Sequence, residues 1–246
     1  MSIDHPSQLV ALQAAGRIVR MMLDSMKARV RPGVTTMELD EVGAAVMRQH
    51  GARSAPATVY GFPGTNCISV NDEAVHGIPS LRALREGDLV KLDVTIEKDG
   101  FMTDAAETVA VGEVSEAKRK LAACARTAFE KSLLAARDGF RVMEIGRAVE
   151  REVKRNGFFV LRELEGHGIG RTIHEPPSVP NFPDPRARQI LREGMVLTVE
   201  PIISSGTPYI VSDDDGWTVR TADKSPSAHY EHTLVITRGA PILLTA

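Results

Sequence analysis

The chain writes one unit twice, and that duplication limits its possible folds more than anything else in it. Arg31, Gly33, Met37, Glu38 and Gly51 recur 106 residues later as Arg137, Gly139, Met143, Glu144 and Gly157. Arg85-Glu86-Gly87 recurs 107 residues later as Arg192-Glu193-Gly194. Self-similarity at a fixed offset marks a supersecondary unit used more than once. The unit begins with two helices. Leu9, Leu12, Val19, Met22, Leu23 and Met26 fall at helical spacing over residues about 4–29, and Arg31-Pro32-Gly33 stops that run. Thr35 and Glu38 then form a capping box ahead of the stripe Leu39, Val42 and Val46, with Gly51 at the C-terminal cap. In the second copy, Ser115 caps a helix expected to reach about Arg137, and another spans about Met143 to Gly157. From Phe158 onward the chain reads as strands and loops. The expectation is a single α+β domain with pseudo-symmetric halves at about 1–112 and 113–246.

Each half also carries a strand pair with two acids. Val90, Leu92, Val94 and Ile96 alternate with Lys91, Asp93, Thr95 and Glu97, the pattern of a half-buried strand, and Lys98-Asp99-Gly100 supplies a hairpin turn. Folding back at residue 98 or 99 brings Asp104 within about one residue of lying opposite Asp93. At the repeat offset Asp93 falls on Glu200. Asp104 precedes Gly112 by the same eight residues that separate Glu231 from Gly239. If the two hairpins face one another, four carboxylates converge. A pair of like charges at ~4 Å repels by about 1 kcal/mol in water and roughly 4 kcal/mol at an effective dielectric of 20. Such a site needs shared protons or cations.

His167, in Gly166-His167-Gly168-Ile169-Gly170, offers a nitrogen donor, and the flanking glycines let backbone approach a ligand closely. No EF-hand spacing is present, which argues against calcium. One imidazole with four carboxylates suits Mn, Fe, Co or Zn. Two such ions about 3.5–4 Å apart form the clamp used in many hydrolytic sites.

Composition narrows the setting. A net charge of −2, with 25% charged and 43% hydrophobic residues, gives no basic surface for a specific nucleic-acid partner. No stretch approaches ~18 consecutive apolar residues, so no membrane span is expected, and a cytoplasmic location is the reading. Cys67 and Cys124 lie far apart and suggest neither a disulfide framework nor a zinc ribbon.

Asp93 in KLDVT, Asp104 in MTDA, His167 in GHGIGRTIHEPP, Glu200 in VLTVEP and Glu231 in SAHYEHT resemble, in order and spacing, the five metal ligands of the type I methionine aminopeptidases of the M24 peptidases. NDEAVHGIP around His76 and DGWTV around Trp217 extend the resemblance over essentially the whole chain. It implies the pita-bread fold, a pseudo-two-fold antiparallel sheet with helices on its outer face. It also implies two divalent metal ions and a cytoplasmic, monomeric enzyme that removes the N-terminal methionine from nascent proteins with a small second residue, with the ribosome as a further candidate partner. Carried over residue by residue, Asp104 and Glu231 bridge the ions, Asp93 binds one of them, and His167 with Glu200 binds the other. Glu200 relays the proton of the attacking water, His174 donates to the oxyanion, and His76 holds the scissile nitrogen. The methionine pocket is lined by Phe62, Cys67 and Trp217, with Val59, Tyr60 and Ile173 nearby.

The chain departs from many relatives at Ile173 (Phe), at Pro176 within HEPP (HEEP), at Val59-Tyr60 and at His229 (Gln). These positions bear on pocket shape and on what surrounds the ligands. X-Pro hydrolases share the metal core but usually carry a separate N-terminal domain, for which 246 residues leave no room. A binding module derived from the same fold is the other alternative, and such modules typically lose metal ligands.

Overall fold

The computed structural model describes residues 1–246. Helix α1 (Pro6–Lys27) and helix α2 (Thr36–Gln49) stack their apolar stripes on one another, and α2 opens on the expected reciprocal cap between Thr35 and Glu38. A two-residue strand β1 (Arg53–Ser54) leads into the short helix α3 (Ala55–Tyr60), followed by strands β2 (Cys67–Val70) and β3 (Glu73–Val75). The acid-bearing hairpin is β4 (Leu89–Lys98) and β5 (Phe101–Ala110). The second half repeats the helix pair as α4 (Glu116–Ser132) and α5 (Val142–Arg155). Strands β6 (Phe159–Val160), β7 (Glu165–Gly168), β8 (Glu175–Pro180), β9 (Val196–Val199) and β10 (Ile202–Ser204) follow. Then come β11 (Ile210–Ser212), β12 (Val219–Thr221), β13 (Ser227–Val235) and β14 (Ile242–Leu243).

The duplication reaches individual hydrogen bonds. In the first half Gly33, Thr36 and Met37 donate their N–H groups to the carbonyls of Leu84, Arg82 and Ser80. In the second, Gly139, Val142 and Met143 donate to Leu191, Gln189 and Ala187, the same pattern at the same offsets. The copies differ at the cap: Arg141 stands where Thr35 would, and the Glu144 N–H, whose counterpart at Glu38 donates to the Thr35 hydroxyl, donates to the Arg141 carbonyl instead. The other helix of that pair is shorter than expected. α4 ends at Ser132, whose hydroxyl turns back to the Phe129 carbonyl, and the next residues form tight turns that free Asp138 to donate to Thr237.

The main sheet runs β1-β4-β5-β13-β9-β7-β8, and its central pair β5 and β13 joins the two halves antiparallel. Val90, Leu92, Val94 and Ile96 pack under α1 and α2, while Leu197, Val199 and Leu234 pack with Phe129 and Ile145 of the second helix pair. The other face of β4 is covered too, so the strand is not half-exposed as its alternation suggests. Lys91 there is only 1% exposed, its ammonium donating to the Asn71 carbonyl and the Ser227 hydroxyl. The polar face of this sheet is an interior. A smaller sheet, β11-β12-β3, stands beside it.

The hairpin register differs from expectation by a step that matters. Asp99 and Gly100 both take positive φ (51° and 82°), so Lys98 pairs with Phe101 across a two-residue turn. The pivot lies later than residue 98 or 99, and Asp104 therefore sits opposite Thr95, with Asp93 opposite Ala106. The two acids are diagonal neighbours on one face, about 7 Å apart at Cβ rather than ~5 Å. Their side chains nevertheless converge closely enough for one carboxyl to hydrogen-bond the other when it keeps its proton.

Candidate metal centre

Register alone brings the acids together. Asp93 on β4 pairs with Ala106 on β5, Ala106 with Glu231 on β13, and the β13–β9 register continued one residue beyond His232 and Val199 sets Glu231 beside Glu200. The adjacent row on the same face runs from Thr95 to Asp104, then Thr233, then Thr198, with His167 beyond it on β7. Strands β4, β5 and β13 thus contribute three acids, the residue just past the end of β9 contributes Glu200, and β7 contributes the imidazole. Gly166 and Gly168 flank it because β7 is squeezed on both sides. A Cβ on Gly166 would lie 2.6 Å from the Thr198 carbonyl oxygen, and one on Gly168 2.4 Å from that of Pro176.

The hydrogen bonds orient these groups without filling the space between them. The His167 N–H donates to Thr198 Oγ1 (3.0 Å), which itself donates to Glu200 Oε1 (2.8 Å). His167 Nδ1 lies 2.9 Å from the Gly168 carbonyl oxygen, so the ring proton belongs on Nδ1 and the Nε2 lone pair faces the acids, 3.5 Å from Glu200 Oε1. Asp104 Oδ1, Glu231 Oε1 and both ring nitrogens of His229 are buried with no hydrogen-bond partner. Burial drives the carboxyls of Asp93, Glu200 and Glu231 well above the usual carboxylate range, and their neighbouring acids add to the rise. Burial also carries Asp104 up to about 7. Desolvation, with help from His174, holds His167 down at about 4 and so neutral. Orphaned oxygens, acids resisting ionisation and neutral imidazoles are what a site built for cations looks like without its charge partner. The donor set fits a divalent metal. Asp104, His167 and Glu231 present ligand atoms within 4.8 Å of one another, as do Glu200, His229 and Glu231.

The acids open onto a cavity of about 280 Å³. Its apolar wall includes Phe62, Cys67, Ile173 and Trp217, and the Phe62 and Trp217 rings meet edge to face at 5.2 Å. Tyr60, the last residue of α3, lines it as well, while Val59, one step back on that helix, points away and is exposed. Cys67 pairs with Asp93 in the β2–β4 register, which puts its sulfur at the junction of apolar wall and acids. Trp217 is held by Asp215, whose Oδ1 accepts from the Trp217 and Thr218 N–H groups.

His174 is exposed to the cavity, with its ring 4.3 Å from that of His167 and Nδ1 2.6 Å from the Tyr60 hydroxyl. His76 follows β3 with a positive φ of 58°, a conformation few non-glycine residues adopt, and it lines the cavity from the smaller sheet. Desolvation lowers the pKa of both rings, and for His76 the proximity of His174 adds to the effect. Thr198 was not singled out in the sequence, although it stands two residues before Glu200 on the same strand face. His229 was visible there only as a departure from relatives, and it too lines the cavity.

Residues 10–238 match the pattern of Metallopeptidase family M24. The chain is 45% identical over 247 aligned positions to Methionine aminopeptidase 2 of Bacillus subtilis (strain 168), covering 100% of this chain and 99% of that one. A methionine aminopeptidase of Thermotoga maritima superposes with a TM-score of 0.96 at 34% identity, covering 100% and 99% of the two chains. The prolidase of Pyrococcus furiosus shares the fold at 23% identity and a TM-score of 0.80, with 65% of its length covered. The architecture is the pita-bread fold, and no helix is long and apolar enough to cross a membrane.

Proposed function

From the premise that this chain belongs to metallopeptidase family M24, we propose that it is a methionine aminopeptidase, hydrolysing the first peptide bond of chains that begin with methionine. The observation that carries this reading is a single cavity of about 280 Å³ that has a carboxylate–imidazole face on one side and an apolar wall of Phe62, Cys67, Ile173 and Trp217 on the other, room for one unbranched side chain beside the scissile bond. Methionine suits such a wall because its thioether packs well against the Phe62 and Trp217 rings.

Asp93, Asp104, His167, Glu200 and Glu231 would hold two divalent ions, drawn from Co, Mn, Fe or Zn. Bound there, the pair supplies Lewis-acid charge that polarises the peptide carbonyl and acidifies water. Glu200 takes the proton of the attacking water and passes it on, its Oε1 oriented for the task by the Thr198 hydroxyl. His174, kept neutral and fixed through Nδ1 by the Tyr60 hydroxyl, donates from Nε2 to the oxygen on which charge develops. His76 steadies the scissile nitrogen from the opposite sheet. In this reading the substrates are nascent chains leaving the ribosome in the cytoplasm, and a single chain suffices.

The test is a Glu200→Ala variant assayed on a Met-Ala peptide with metal supplied. Loss of methionine release with the circular dichroism spectrum intact is expected. Undiminished release would sink the mechanism.

A further inference from the structure

His229 sits two residues before Glu231 on β13, so its side chain projects from the same face of the sheet, on the side of the Glu231–Glu200 row away from Thr198 and His167. Its ring is 2% exposed, and neither nitrogen has a hydrogen-bond partner. An imidazole buried with neither nitrogen paired to a protein group is costly. Its Nε2 lies 3.3 Å from Glu231 Oε2 and 3.8 Å from Glu200 Oε2. Neither contact is a hydrogen bond; the first falls within, and the second a few tenths of an ångström beyond, the roughly 3–3.5 Å that separates neighbouring donors around one ion with bonds of about 2.0–2.2 Å. His167, on the other side of the row, stands at a comparable 3.5 Å from Glu200 Oε1.

We propose that His229 Nε2 is a sixth protein donor of the metal centre, completing with Glu200 Oε2 and Glu231 Oε2 a coordination face opposite the one closed by His167. The inference rests on the metalloenzyme reading above and adds to its five ligands. It gives the centre two imidazoles. A second nitrogen shifts a carboxylate-rich site towards zinc, cobalt or iron and away from manganese, which is content with oxygen. It also ties Glu200 from both edges, since one oxygen faces His167 and the other His229.

The experiment counts imidazoles and needs no turnover. The whole protein, freed of metal and reloaded with two equivalents of Co(II), is examined by X-ray absorption, whose outer-shell scattering reports coordinated histidine, and by visible absorption of the Co(II) itself. Two imidazoles per chain are expected, falling to one in His229→Gln with a changed Co(II) spectrum. Zinc affinity in that variant should drop by more than the roughly tenfold minimum that follows loss of an outer-shell partner, and the ratio of zinc to manganese affinity should fall with it. One imidazole in the unmodified protein, or a count unchanged by His229→Gln, overturns the proposal and leaves the five-ligand centre standing. Failure to bind two ions at all overturns both. Because the count is made first on the unmodified protein, a variant that does not fold cannot shield the proposal.

Discussion

At the scale of single residues, the metal-free site is a store of unfavourable charge, and its titration exposes it. Burial lifts Asp104 from its ordinary 3.8 to about 7, so the folded chain keeps a proton that the unfolded chain releases. The stability this contributes is full below about 3.8, ebbs as the pH rises, and is gone above about 7. Compared with a metal-free Asp104→Asn variant, which lacks this group and also relieves the rise it causes at Asp93, Glu200 and Glu231, the metal-free protein should lose about 1–3 kcal/mol more between pH 5 and pH 7.5. Urea unfolding at the two pH values reads the difference, and a gap that stays constant or reverses contradicts it. The histidines separate by kinetics. His174→Ala should cost kcat by about 10²–10³-fold with little change in KM, whereas Tyr60→Phe, which removes only the group that fixes the ring, should cost far less. Steady-state rates on a Met-Ala peptide decide, and equal losses would place the donor function on Tyr60. The residues proposed as ligands could be picked out in the sequence because Asp, Glu and His at those places have few other uses together. Thr198 was not, because a strand threonine signals nothing until its hydroxyl is seen between His167 and Glu200.

At the scale of elements, local chemistry predicted starts better than stops. The Thr35–Glu38 box and the Ser115 cap could be read directly, since each satisfies its own helix. The end of α4 could not, because what draws residues 133–138 off the helix is a long-range partner at Thr237. Hairpin register failed for a similar reason. The Asp99-Gly100 turn was recognised, but its two positive φ angles shift the pivot and move Asp104 from beside Asp93 to the diagonal. The close seating of helices on the sheet yields a test of packing against propensity. At Gly146 in α5, alanine would favour the helix by about 1 kcal/mol. Its Cβ, however, would fall 2.3 Å from the Phe182 and 2.4 Å from the Pro180 carbonyl oxygens, backbone that cannot swing aside. Overpacking of this kind costs about 1–3 kcal/mol, so Gly146→Ala should lower the urea midpoint despite the better helix former. A raised midpoint would mean that α5 can lift off β8 freely.

For the whole molecule, duplication is the organising fact. Two helix pairs cover the outer faces of two antiparallel strand pairs, the hairpin β4–β5 and the pair β9–β13. Strands β10 to β12 intervene in the second pair, where the sequence suggested another hairpin. The pairs meet along β5 and β13, so that acids from both halves share one interior. Neither half holds all five of the proposed ligands, as the repeat in the sequence also implies. The departure at His229 acquires meaning only in three dimensions, where its bare imidazole faces Glu200 and Glu231. Ions bound in this interior would act on the stability of the entire chain. A divalent metal at 100 times its dissociation constant should stabilise the fold by about 2.7 kcal/mol, visible as a raised unfolding midpoint that chelator abolishes together with activity. Activity that survives exhaustive chelation would remove the metal from the account.

The most direct trial of the central claim is a peptide panel offered to the metal-loaded protein: Met-Ala and Met-Gly peptides, the same peptides with leucine first, and X-Pro peptides. Release of free methionine from the first group, with little cleavage of the others, is the predicted result. Preferential cleavage before proline, or no discrimination for methionine at the first position, would contradict it.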